Sequence, residues 1–278
     1  CVVGALVGFN VGVHAQESVR ASREALIQRL DATARTHIDA RAASVAQVRT
    51  RADAERRQAH VRQTILRLIG GLPDSRGDLA VRQAGGFDGD GFRLERVIFD
   101  SLPGFHVTAN VYVPASGTGP FPAVLLSPGH SPGGKAEQFE FGATLARNGF
   151  VALAWDPVGQ GERLQHFDPE LGASKVGRPT GEHGHDGVQV MLTGDHVSRY
   201  FVWDAMRGLD YLSSRGDVDA SRLGAFGCSG GGTVTAYLAA LDERVAAAAS
   251  ACYMTSFAHL LATVGPQELG TNAVVIVA

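Results

Sequence analysis

The first regular pattern along the chain is helical. Residues 17–69 contain neither Gly nor Pro and are rich in Ala, Arg, Gln and Glu, which lose little on entering a helix. Leu26, Ile27 and Leu30 form one apolar stripe; Val61, Ile65, Leu66 and Ile69 form another at helical spacing. Gly70-Gly71-Leu72-Pro73 stops the helix. Beyond Pro73 the period changes to two. Residues 92–99 and the positions Val107, Ala109, Val111 and Val113 alternate as strands about Leu102-Pro103-Gly104, which predicts an antiparallel hairpin.

From there short apolar runs alternate with amphipathic ones. Strands are predicted at 123–127, 150–155, 223–227 and 245–251, and helices at 136–147, 197–213 and 233–241. Such alternation implies a parallel sheet with right-handed crossovers. The stretch 157–195 is polar, holds Gly and His, and shows no clear period. The predicted class is α/β: a mostly parallel sheet with an antiparallel N-terminal hairpin, helices on both faces, and a helical segment in front. The expected division is a helical segment over 17–72 and a core over 73–278.

Composition removes several classes. With 278 residues, 45% hydrophobic, and a net charge of −3, the chain is too apolar and too weakly charged to be disordered. Three cysteines cannot make a disulfide framework. No apolar run reaches the roughly 18 residues of a bilayer span, and the slightly acidic balance gives no reason to expect a nucleic-acid partner. Residues 17–69 carry 11 Arg against six Asp plus Glu; the expectation is a solvated helical face packed on the main domain, rather than an arm for nucleic acid or membrane.

Both ends are unusual. Residues 1–16 look like the apolar part of a secretory signal with Val13-His14-Ala15 as its cleavage site, so a signal remnant and a secreted or periplasmic protein are expected. Cys1 precedes the apolar stretch instead of following it, which argues against a lipoprotein anchor. Residues 266–278 stop on an apolar run with no closing helix, and the core is expected to lack its C-terminal part.

The sharpest chemistry is Gly227-Cys228-Ser229-Gly230-Gly231-Gly232. It matches G-x-S-x-G, follows a predicted strand and opens a predicted helix, which is the setting that pattern requires. Ser229 then sits on a tight, strained turn with its hydroxyl above the sheet edge. Gly227 and Gly231 are needed because the chain approaches closely two residues to either side. The helix N-terminus points its amides and its dipole at a developing oxyanion. A second oxyanion donor belongs on the loop after an earlier strand, here Ser127-Pro128-Gly129-His130, and the backbone N–H groups of Gly230 and His130 are the candidate pair.

The same loop carries a rival. Gly129 to Gly134-Lys135 matches most of a phosphate loop, followed at the next strand by Asp156. Against it, Ala136 stands where magnesium needs Ser or Thr, and Pro132 removes a backbone donor. Residues 156–163 shape an acyl pocket or form a turn with an internal Arg163 ion pair. His183, His185 and Asp186 offer metal-ligand types, but no second cluster lies near them in sequence and no metal is expected. Cys228 and Cys252 fall near the ends of two strands; a disulfide is open, with buried free thiols the expectation. Asp204, Arg207 and Asp210 read as a structural ion network.

With the turn placed, residues from about 60 to 265 resemble the α/β-hydrolase superfamily, and most of all bacterial secreted esterases related to acetyl xylan esterases, cephalosporin C deacetylases and prolyl-oligopeptidase-type hydrolases. The residues that carry this are Tyr112-Val113-Pro114, Leu125 to His130, Trp155 to Arg163, Leu192-Thr193-Gly194, Trp203-Asp204, Asp210-Tyr211-Leu212, Gly227 to Gly232 and Ala239 to Arg244. The resemblance implies a serine ester hydrolase acting through an acyl-enzyme on Ser229, with a small-molecule or carbohydrate ester as substrate and no cofactor. A peptidase of the prolyl-oligopeptidase type, a non-catalytic binding protein on this fold and the nucleotide hydrolase are the alternatives. The family order is Ser, acid, His. After Ser229 the acids are Asp242, Glu243 and Glu268 and the histidine is His259. None suits its role, so the acid and base are expected beyond residue 278. The oligomeric state is not legible.

Overall fold

A computed structural model describes residues 2–74 and 76–263. It divides into two compact units. Among the described residues, one holds 2–57 and 256–263, the other 58–74 and 76–255. The predicted 17–69 helix is two helices, α1 (Val2–Val45) and α2 (Arg51–Leu68). The second start is capped: Asp53 accepts from the Thr50 amide at 2.9 Å and from the Thr50 hydroxyl at 2.8 Å, the kind of side-chain cap that satisfies a helix N-terminus. The first unit also holds α7 (Phe257–Thr263). The apolar tail at 266–278 and Glu268 lie outside the described residues.

The second unit is built on a seven-stranded sheet. Its strands are β1 (Arg82–Gly89), β2 (Phe92–Leu102), β3 (Phe105–Pro114), β4 (Phe121–Ser127), β5 (Val151–Trp155), β8 (Val218–Cys228) and β9 (Val245–Ala251), in the order β1-β2-β3-β5-β4-β8-β9. β5, β4, β8 and β9 are mutually parallel, whereas β1, β2 and β3 run antiparallel to their neighbours. The antiparallel flange therefore has three strands, one more than the hairpin predicted. β1 reads Arg-Gln-Ala-Gly-Gly-Phe-Asp-Gly and is exposed along almost its whole length, so it has no apolar alternation to reveal it.

Alternation along the strands sorts side chains into two layers. Val107, Ala109, Val111, Leu125, Leu153, Trp155, Leu223 and Ala225 face one way, against α5 (Ser198–Ser214), α6 (Gly230–Leu241) and the end of α2. Tyr112, Leu126, Ala152 and Ala154 face the other way, against Ala143 and Ala146 of α3 (Phe139–Arg147). Each large apolar side chain buried this way contributes about 1.5–3 kcal/mol. The sheet is thus a rigid floor whose parallel strands all end on one edge.

The 157–195 stretch, which has no period in the sequence, folds into a small hairpin, β6 (Phe167–Asp168) with β7 (Ala173–Ser174), followed by α4 (Pro179–Leu192). Pro179 occupies the first turn of α4, where a missing N–H costs nothing. The three glycines inside α4 are poor helix formers, which hides the helix from propensity. No helix of the described residues is long and apolar enough to cross a membrane.

Candidate active site

β8 delivers the chain to Cys228 and α6 leaves from Gly230, so Ser229 is the single residue between strand and helix. Its backbone sits at φ 56°, ψ −119°, a region that a non-glycine residue occupies at a cost of about 1–3 kcal/mol. The tightness of the turn explains its glycines. A Cβ on Gly227 would lie 2.2 Å from the Gly231 carbonyl oxygen, and one on Gly231 would lie 1.9 Å from the Ser127 carbonyl oxygen. The Thr233 amide donates to the Ser229 carbonyl at 3.0 Å as the first bond of α6. Residues 230–232 thus enter the helix with amides that have no acceptor within it, at the positive end of its dipole.

The loop after β4 lies directly against this turn. A Cβ on Gly129 would be 3.0 Å from the Cys228 carbonyl oxygen and 3.6 Å from the Ser229 Cβ. The His130 ring covers Gly230, where a Cβ would meet three ring atoms at 2.6–2.9 Å. The fold therefore brings Ser229, Gly230 and His130 to one spot. The helix α6 also leans on β9: the Ser229 amide donates to Ala251 O at 3.0 Å, and the Ser250 hydroxyl donates to Gly232 O at 2.8 Å.

What holds the loop is a residue that sequence reading passed over. Gln160 is 2% exposed, and its Nε2 donates to Gly129 O at 2.7 Å and to Ser131 O at 2.9 Å. The two carbonyls flank His130. Four residues upstream, the buried Asp156 carboxylate accepts from the Lys135 amide at 2.7 Å, from the Thr108 hydroxyl at 2.7 Å and from the Glu162 amide at 3.3 Å. Arg163 donates to Asp156 O at 2.8 Å and to the Asp204 carboxylate at 2.7 Å, both partners buried. The 156–163 turn is thus a clamp, and Asp204 belongs to it. The ion network expected for Asp204, Arg207 and Asp210 is corrected to Arg207 with Asp210, joined by Arg76 and Arg244.

The phosphate-loop alternative fails on its lysine. The Lys135 ammonium is paired with Asp156 and, at 2.5 Å, with Glu162, and its side chain is 10% exposed. A phosphate-binding lysine must instead present its charge to the ligand.

Of the three ligand types noticed on 183–186, the fold separates two. His183 Nε2 is 2.8 Å from the Val158 carbonyl, and its ring lies 5.2 Å from that of His130. His185 stacks edgewise on His166 at 4.6 Å. Asp186 instead meets His166 and Glu182, three groups whose ligand atoms lie within 4.8 Å of one another. His166 Nε2 is 2.8 Å from Asp186 Oδ1, and Glu182 accepts from the amides of Gln165 and His166. Those bonds tie α4 to the 165–166 turn, while the second Asp186 oxygen, Oδ2, is buried without a hydrogen-bond partner.

Of the residues weighed as the acid, Asp242 and Glu243 lie at the far end of α6. Asp242 and Glu243 follow the last residue of α6; a 12-residue helix puts them about 18 Å from Ser229. Asp242 is held by Arg244, and Glu243 by Arg62. His259 is on α7, in the other unit. Among the described residues, no side chain hydrogen-bonds the Ser229 hydroxyl.

A mixed sheet whose parallel strand ends in a strained serine at a helix N-terminus, with an amide-bearing loop beside it, is the framework of the α/β hydrolases. Within that class the chain belongs to the acetyl xylan esterase (AXE1) family, whose model matches residues 83–266. It is 29% identical over 221 residues to YtaP of Bacillus subtilis (strain 168), named as a hydrolase, covering 74% of this chain and 68% of that one. Among solved structures, methylesterase BT1017 is similar at 27% identity and a TM-score of 0.58, covering 79% of this chain and 45% of its own. A Bacteroides fragilis NCTC 9343 protein named as an acetyl xylan esterase is similar at 20% identity and a TM-score of 0.59, covering 70% of this chain and 52% of its own. The chain spans about half the length of these two structures.

Proposed function

We propose that the protein is a serine carboxylic-ester hydrolase. Ser229 Oγ attacks the ester carbonyl, the alcohol leaves, and water releases the acyl group from the serine. The amides of Gly230 and His130 hold the oxyanion; one such donor is worth about 2.7–4 kcal/mol in the transition state. The observation that carries this reading is the strained backbone of Ser229 between β8 and α6, at φ 56° and ψ −119°. Strain of that kind persists only where the surrounding structure enforces it. Here Gly227, Gly231 and the Ser127 carbonyl supply the enforcement.

The family match and the methylesterase relative support an ester of a carbohydrate, cleaved at a small acyl or alkyl group. The full-length protein is expected to be labelled once by a fluorophosphonate, at Ser229, and to release acetate from acetylated xylo-oligosaccharides. Labelling without hydrolysis of any ester but with cleavage of peptides would move the assignment to a peptidase. An unlabelled, folded protein would make it a binding protein. Export belongs to the same reading, on the signal-like pattern of residues 1–16. Finding the protein in the cytoplasmic fraction with that segment intact would remove it.

A further inference from the structure

The turn that presents Ser229 has a second reactive element beside it. Cys228 ends β8, and its register partner on β9 is Ala251, one residue before Cys252. Parallel strands about 4.8 Å apart with an offset of one residue, about 3.3 Å, put the two Cα atoms roughly 5.8 Å apart. Disulfides are built over about 4.4–6.8 Å. Both thiols are free; contrary to the buried pair expected from the sequence, Cys228 is half-buried and Cys252 exposed. The neighbouring Cys252 side chain, with a smaller effect of burial, holds the Cys228 thiol above its ordinary value, in keeping with the short separation that the register gives. Among the described residues, three non-glycines take positive φ, and two of them are Ser229 and Cys252, at 56° and 55°. The cysteine is thus held in an enforced conformation next to an enforced serine.

We propose that Cys228 and Cys252 form a redox-active dithiol that closes to an intrachain disulfide on meeting a small-molecule disulfide. The exposed Cys252 attacks first, as its thiolate. It forms a mixed disulfide and expels one small-molecule thiolate. Cys228 then gives up its proton and attacks the Cys252 sulfur, expelling the second thiolate. Two protein thiols are oxidised by two electrons, the small disulfide is reduced to two thiols, and the two protons end on them. The link ties the end of β8 to the turn after β9, on either side of the Ser229 amide bond to Ala251.

The test uses the full-length protein with Cys1→Ser, and the cysteines followed are Cys228 and Cys252. It is incubated in graded ratios of oxidised to reduced glutathione, alkylated and mapped by mass spectrometry. The expected result is that both thiols vanish together, that the protein loses two hydrogen masses, and that one Cys228–Cys252 peptide pair appears and dissolves in dithiothreitol. The further variant Cys252→Ser is expected to carry at most one glutathione and no internal link. Thiols that stay free, cysteines that keep glutathione without linking, or a disulfide between chains would each overturn the proposal. Thiol count and peptide mass do not depend on ester hydrolysis, so failure here leaves the assignment of Ser229 standing, and the reverse also holds.

Discussion

Replacing Ser229 by glycine is expected to stabilise the protein, while replacing it by alanine is not. The two variants differ in one methyl group and both remove the nucleophile, so the comparison isolates backbone strain. At φ 56°, ψ −119° a residue with a Cβ pays about 1–3 kcal/mol, whereas glycine enters that region freely. Glycine also gives the unfolded chain more freedom, which costs about 0.4–1 kcal/mol. The difference leaves Ser229→Gly more stable than Ser229→Ala by about 1.3 kcal/mol at the middle of these ranges. For a unit of this size, 1 kcal/mol moves the melting midpoint by about 2–4 °C, so a separation of roughly 3–5 °C is expected. Calorimetric scans of both variants measure it, with urea titrations at constant slope as the check. If Ser229→Gly melts at or below Ser229→Ala, the turn is relaxed and the strain argument for the nucleophile is wrong.

Two further predictions concern the clamp and the charge network. Gln160→Ala removes both donors from Gly129 O and Ser131 O; the loop bearing His130 loosens, and kcat for a soluble ester is expected to fall about 10- to 100-fold with KM little changed. Unchanged turnover would show that Gln160 does not position the loop. Burial pushes Glu95 and Asp217 upward, but the Arg215 guanidinium more than offsets it, and both carboxyls stay below their ordinary values. Groups lowered in the folded state add stability above the carboxylate range and lose it as pH falls through that range, from about 5 towards 2. Melting temperature is expected to drop over that window, and to drop less in Arg215→Ala; equal slopes in the two proteins would refute the coupling.

Local pattern alone determined most of the elements. The period of two in β2 and β3, the apolar runs of β4, β5, β8 and β9, and the helical runs of α2, α3, α5 and α6 are set by which face each residue must bury, and that is written in neighbouring residues. The glycines around Ser229 are equally legible, because a turn between strand and helix dictates its own side chains. Tertiary structure decided the rest, since it joins residues that no period relates. β1 and α4 are rich in glycine and are held by what they pair with or pack on. Lys135 finds Asp156 at a separation of 21 residues and Arg163 finds Asp204 at 41; nothing in either neighbourhood specifies the partner. Gln160 reaches Gly129 across 31 residues, and the meeting of Cys228 with Cys252 follows from β8 and β9 being neighbours in register. A serine can announce its own turn, but the groups that steady it are chosen by the order in which the strands lie side by side.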